Sequence, residues 1–94
     1  MSPETDQRAI EAQLKGNTLR IYWYILKAGH GRAVGIRQVQ RDIGLSSPSV
    51  ATHHLEKLRD LGLLQKMPSG EYVLVNEVKV GILLDFVNLV GLML

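Results

Sequence analysis

Apolar residues recur at helical spacing along residues 18–28, TLRIYWYILKA, where Leu19, Tyr22, Trp23 and Leu26 form one stripe that Ile21 and Ile25 widen. A helix buried on more than one side is expected. Asn17 stands where an N-cap belongs and Gly29 where the helix should stop. Trp23 reads as a core residue rather than a stacking platform, because a large aromatic in the first helix of a small domain is usually buried. Upstream, residues 3–15 carry acids early and Lys15 late, which suits a short helix. Ala9, Ile10, Ala12 and Leu14 give it only a weak stripe, and it should end at Gly16.

The glycine-rich run HGRAVG, residues 30–35, is too short for a helix, and its Ala33-Val34 pair predicts one brief strand. In IRQVQRDI, Ile36, Val39 and Ile43 fall on one face and leave Arg37, Gln38, Gln40 and Arg41 outward. Gly44 supplies a left-handed residue at the helix end, after which Leu45 should drop into the core. Ser47 and Pro48 then begin another helix as N-cap and first helical residue. Ala51, Leu55, Leu58 and Gly62 line its inner face. Ser49, Thr52, His53, Glu56, Lys57 and Asp60 point away, with Val50, His54 and Leu61 on the flank. Two helices across so tight a turn predict a helix-turn-helix, the second helix of which would enter the DNA major groove. Its outward face begins with small polar residues that can come close to base edges.

Two β-prone runs follow, LLQKM and EYVLVN, separated by Pro68-Ser69-Gly70. They predict a hairpin in which Leu64 and Lys66 oppose Leu63, Gln65 and Met67 in direction, while Tyr72, Leu74 and Asn76 alternate with Val73 and Val75. With Ala33-Val34 this could make a three-stranded sheet edge. The last segment, VKVGILLDFVNLVGLML, has a narrow polar stripe at Gly81, Asp85 and Asn88 and is otherwise almost wholly apolar. A small monomer cannot cover such a helix. A second chain is the expected cover, through Val80, Leu83, Leu84, Phe86, Val87 and Val90. A juxtamembrane helix, followed by a membrane segment beyond Leu94, is the other reading.

Ninety-four residues suffice for one small core. The absence of cysteine excludes disulfides and thiolate metal sites and fits a reducing, cytoplasmic setting, with association at the cytoplasmic side of a membrane in a longer chain as the variant of that reading. The first ten residues carry acids where a secretory signal has bases and an apolar run, and no apolar stretch reaches the length of a membrane span. The net charge of +2 is unevenly placed: residues 17–66 hold eight Lys and Arg against three acids, and the remainder holds three against six. A basic middle suits a polyanion-binding module. Catalysis is not expected, since no nucleophile, paired carboxylates or phosphate-cradling glycine loop is visible. Gly29, Gly31 and Gly35 lack the strand-then-helix setting such a loop needs. His53 and His54 project about 100° apart on a helix and His30 lies in a separate loop, so no metal site is expected, and no cofactor or small-molecule ligand is implied.

Residues 45–64, LSSPSVATHHLEKLRDLGLL, resemble the recognition-helix signature of winged helix-turn-helix transcription regulators of the ArsR and MarR type. The likeness lies in Ser and Pro at the start, His-Leu-x-x-Leu, and a closing Gly-Leu-hydrophobic. The run SSPSVATHHLEKL looks most like archaeal one-component regulators of this class, some of which carry transmembrane helices after the winged domain. The resemblance covers about residues 17–76. It implies a mainly α fold with a small antiparallel β-hairpin wing, in the order α-β-α-α-β-β, to which the residue pattern itself adds a helical extension at 1–16 and an apolar C-terminal helix at 77–94. It further implies a homodimer that binds double-stranded DNA and regulates transcription. Ser47, Ser49, Thr52 and His53 would lie near base edges and Arg37, Arg41, Lys57 and Lys66 on phosphates. Two departures stand out. The cysteine pair of the ArsR-type metal sensors is missing, and the wing tip, Met67 to Glu71, has no arginine for the minor groove. A winged domain serving as a protein-interaction adaptor, membrane-tethered or free, without DNA binding, is the alternative.

Overall fold

A computed structural model describes residue 10 and residues 12–78. The described chain is mainly helical, with α1 at Gly16–Ala28, α2 at Ile36–Ile43, α3 at Pro48–Asp60, and a hairpin of β1, Leu64–Lys66, and β2, Tyr72–Leu74. Before α1, Ile10, Ala12 and Gln13 are helical; Leu14 and Lys15 are not, and Gly16 turns the chain at φ +56°. The short helix therefore stops ahead of Gly16, and Leu14 enters the core instead of completing a turn.

The inner face of α1 is Thr18, Leu19, Ile21, Tyr22 and Ile25. Trp23 and Leu26, expected in the same stripe, are only partly buried against the core, because the contact face is centred one position earlier. Asn17 does not cap the helix. Lys15 holds the N-cap position without a side-chain bond, and the Asn17 side-chain amide oxygen, Oδ1, accepts from Arg20 at 2.9 Å. The other arm of Arg20 reaches the Ile43 carbonyl at the end of α2, also at 2.9 Å, and so braces one of the carbonyls that a helix end leaves unpaired.

The turn between α2 and α3 follows its local residues closely. Gly44 sits at φ +84°, ψ 37° and its N–H meets the Gln40 carbonyl, the left-handed ending that only glycine adopts without strain. Leu45 folds inward. The Ser47 hydroxyl accepts from the Val50 N–H at 3.2 Å, with Pro48 opening the helix. Ala51, Leu55 and Leu58 are fully buried under α1 and α2. Gly62, expected on that face, lies beyond the helix end, exposed and at φ +81°, where it turns the chain toward the hairpin.

The strands pair antiparallel, Leu64 with Leu74, Gln65 with Val73 and Lys66 with Tyr72. Tyr72 and Leu74 point into the core as the alternation predicts, whereas Leu63 and Leu64 are both buried because Leu63 precedes the strand. The third strand reduces to one bridge: Val34 and Tyr72 exchange N–H and carbonyl bonds at 2.8 and 2.9 Å. Past the hairpin the chain returns across α1. The Val78 N–H donates to the Tyr22 hydroxyl at 3.2 Å, and the Val78 side chain is buried. The core thus takes in Leu14 before the three helices and Val78 after the strands. The apolar segment after Val78, with Val80, Leu83, Leu84, Phe86, Val87 and Val90, lies outside the described residues.

Candidate nucleic-acid interface

The turn holds the first residues of α3 beside the first residues of α2. An open groove of about 410 Å³ lies between them, lined by Ile36, Arg37, Pro48, Ser49 and Thr52. Three of the expected site residues, Arg37, Ser49 and Thr52, therefore share one groove. Arg37 and Ser49 are exposed, as are Arg41 and His53, and Thr52 is half-buried. Arg37 and Arg41 are separated by one turn of α2 and share its outward face.

The hydroxyls are less available than their residue types suggest. Ser47 spends its oxygen on the Val50 N–H as N-cap. Thr52 donates its hydroxyl to the Pro48 carbonyl at 3.0 Å, back along its own helix. Ser49 and His53 are the exposed polar side chains on the leading turns of α3.

Lys57 and Lys66 lie apart from this groove. Lys57 is half-buried further along α3. The Lys66 ammonium sits 5.8 Å from the centre of the Tyr72 ring, a cation over an aromatic face. Beneath it the Tyr72 hydroxyl donates to Glu56 at 2.5 Å, and Arg59 donates to the same carboxylate at 3.0 Å. Glu56 is thus neither a free acceptor for a base nor a plain solvated residue. It joins α3 to the hairpin. The Tyr72 hydroxyl and then Arg59 hold its carboxyl below the usual range, against some desolvation. Burial and the Glu56 carboxylate push the Tyr72 phenol up to about 12.

His53 and His54 meet edge to face, with ring centres 5.2 Å apart. They differ in role: His53 is exposed, whereas His54 bonds through Nδ1 to the buried Thr18 hydroxyl at 2.7 Å, linking α3 to α1. Desolvation, with the neighbouring His53 and Lys57, lowers the His54 pKa and favours the neutral ring. His30 lies elsewhere, paired with Glu77 at 2.9 Å. Among the described residues no three His, Asp or Glu side chains come together as a metal site, and no helix is long and apolar enough to cross a membrane.

Ile36 and Pro48 were not candidates on sequence, since each had a sufficient local role, one as core and the other as helix start. The groove appears only when the turn brings the two together. Arg20 enters the sequence reading only as one of the eight bases of residues 17–66. Its i+3 spacing from Asn17 is visible in the chain, but its reach to Ile43 is not. Comparison with protein-family models, curated proteins and solved structures yields no match to this chain.

Proposed function

We propose that the chain is a double-stranded DNA-binding transcription regulator of winged helix-turn-helix architecture, with α3 as recognition helix and the β1–β2 hairpin as wing. One observation carries the reading. The exposed Ser49 at the start of α3 lines one groove with Arg37 of α2, and His53 and Arg41 are exposed one turn further along the same two helices. A helix presented this way beside two free guanidiniums matches the division of labour at a DNA surface, in which cations fix register on phosphates and the helix start reads bases. The element order and the turn chemistry support the same reading, and the basic middle of the chain agrees with it.

Duplex affinity measured against salt tests the proposal. Neutralisation of three to four phosphates by Arg37, Arg41, Lys57 and Lys66 gives a log–log slope of about −3 to −4 per chain. A chain with no duplex affinity even at low salt is an adaptor instead. The exposed Met67 and Val75 on the hairpin are what favours that second reading.

On sequence grounds the active form is a homodimer joined through residues 80–90, which sets two recognition helices about one DNA turn apart. Sedimentation of the Leu83→Glu/Phe86→Glu chain should give half the wild-type mass. Equal masses would remove the dimer from the proposal.

A further inference from the structure

Thr52 is the residue on α3 that chemistry would first choose to hydrogen-bond a base edge, yet its hydroxyl is already donated to the Pro48 carbonyl at 3.0 Å. With its proton committed along the helix, the hydroxyl keeps acceptor capacity only, and the γ-methyl is the apolar part of the side chain at the groove. Its neighbours there are Ile36 and the Pro48 ring, while Arg37 and Ser49 form the polar edge. The groove is therefore an apolar floor with a cation on its rim. Such a floor cannot repay the desolvation of a donor or acceptor.

In the major groove the apolar group that a base edge carries is the thymine 5-methyl, set among phosphates that the guanidinium can meet. A 5-methylcytosine carries the same group at the same place. We propose that the groove between α2 and α3 receives the 5-methyl group of a pyrimidine, so that the chain selects thymine by packing rather than by hydrogen bonding. The proposal rests on the DNA-binding reading and deepens it. Charge complementarity argues for this occupant over an uncharged apolar one, because the exposed Arg37 lines the site and Arg41 is exposed one turn further along α2.

The test needs no knowledge of a target sequence. Binding is compared within two pairs of alternating duplexes: poly(dA-dT) against poly(dA-dU), and poly(dG-dC) against its 5-methylcytosine form. Each pair has one backbone and differs by one methyl group per pyrimidine. The methylated member of each should bind about fourfold more tightly, the ratio expected from burying one methyl. Thr52→Ser keeps the hydroxyl and loses the methyl, so its ratio should fall to near one with the salt slope unchanged. Thr52→Val keeps a methyl without the hydroxyl and should retain the ratio.

Equal wild-type affinity within both pairs, at measurable duplex binding, overturns the methyl site and leaves the DNA-binding reading standing. A ratio that survives Thr52→Ser overturns it as well. Absence of binding to all four duplexes at low salt overturns both. The wild-type comparison holds whether or not either variant folds.

Discussion

Tyr72 is the residue through which most of the hairpin's attachment runs. Its backbone bridges to Val34, its strand position opposes Lys66, its ring is fully buried, and its hydroxyl donates to Glu56 on α3. The Glu56 carboxyl is held low by that bond, so the stability it contributes is present above the ordinary carboxylate range and lost as pH falls through it. Tyr72 behaves in the opposite sense. With a phenol pKa raised to about 12, its contribution is full below the ordinary value of 10.0 and is lost as pH rises between the two. Tyr72→Phe should therefore cost about 1.5 kcal/mol at neutral pH, the low end for a bond to a charged group whose partner can rehydrate. Urea denaturation at neutral pH and at an acid pH that protonates Glu56 checks this: the variant and the wild type should differ at the first, and the gap should narrow at the second. A gap of the same size at both would mean that packing of the ring, not the Glu56 bond, sets the cost.

The elements differ in how far neighbouring residues specify them. Gly44, Leu45, Ser47 and Pro48 define the α2–α3 turn through backbone sterics and one short-range cap, and all four behave as their types dictate. Nothing lies within 4 Å of a Cβ built on Gly44, so a substitution there meets backbone strain alone. Gly44→Ala should lower stability by about 1 kcal/mol, and Gly44→Asn by less, since asparagine tolerates the left-handed region better. Equal urea midpoints for wild type and Gly44→Ala would show that the turn does not depend on that conformation. The same locality explains what the sequence made legible. The three helices, the α2–α3 turn and a hairpin with Tyr72 and Leu74 on one face follow from periodicity and turn chemistry. The groove did not, because it depends on how Ile36 and Pro48 are juxtaposed. Nor did Thr18–His54, Tyr72–Glu56 or Arg20–Ile43, which join residues 36, 16 and 23 positions apart. Asn17 misled for a related reason. A good capping residue can be bypassed when the helix starts two positions earlier, with Lys15 as N-cap behind a Leu14 that enters the core.

At the scale of the whole molecule, the proposed DNA complex would separate a face that anchors from a helix that discriminates. Arg37 and Arg41 are exposed on α2, outside the leading turns of α3, where guanidiniums meet phosphates that carry no sequence information. Thr52 and His53 are on α3 itself, one lining the groove and the other exposed beside it. Lys66 is tied over Tyr72 beside the Glu56 carboxylate and so has less charge to offer a distant phosphate. Arg37→Ala with Arg41→Ala should accordingly weaken binding to every duplex alike and reduce the magnitude of the salt slope by about 2, one unit for each lost phosphate contact. Thr52→Ala with His53→Ala should leave that slope in place and compress the spread of affinities among sequences, since base-edge contacts are worth about 1 to 3 kcal/mol of discrimination each. Titrations of a panel of duplexes at several salt concentrations separate the two effects, because one moves the slope and the other the spread. If both pairs of substitutions shift the slope equally, α3 is another phosphate-binding surface and the division of roles between the two helices fails.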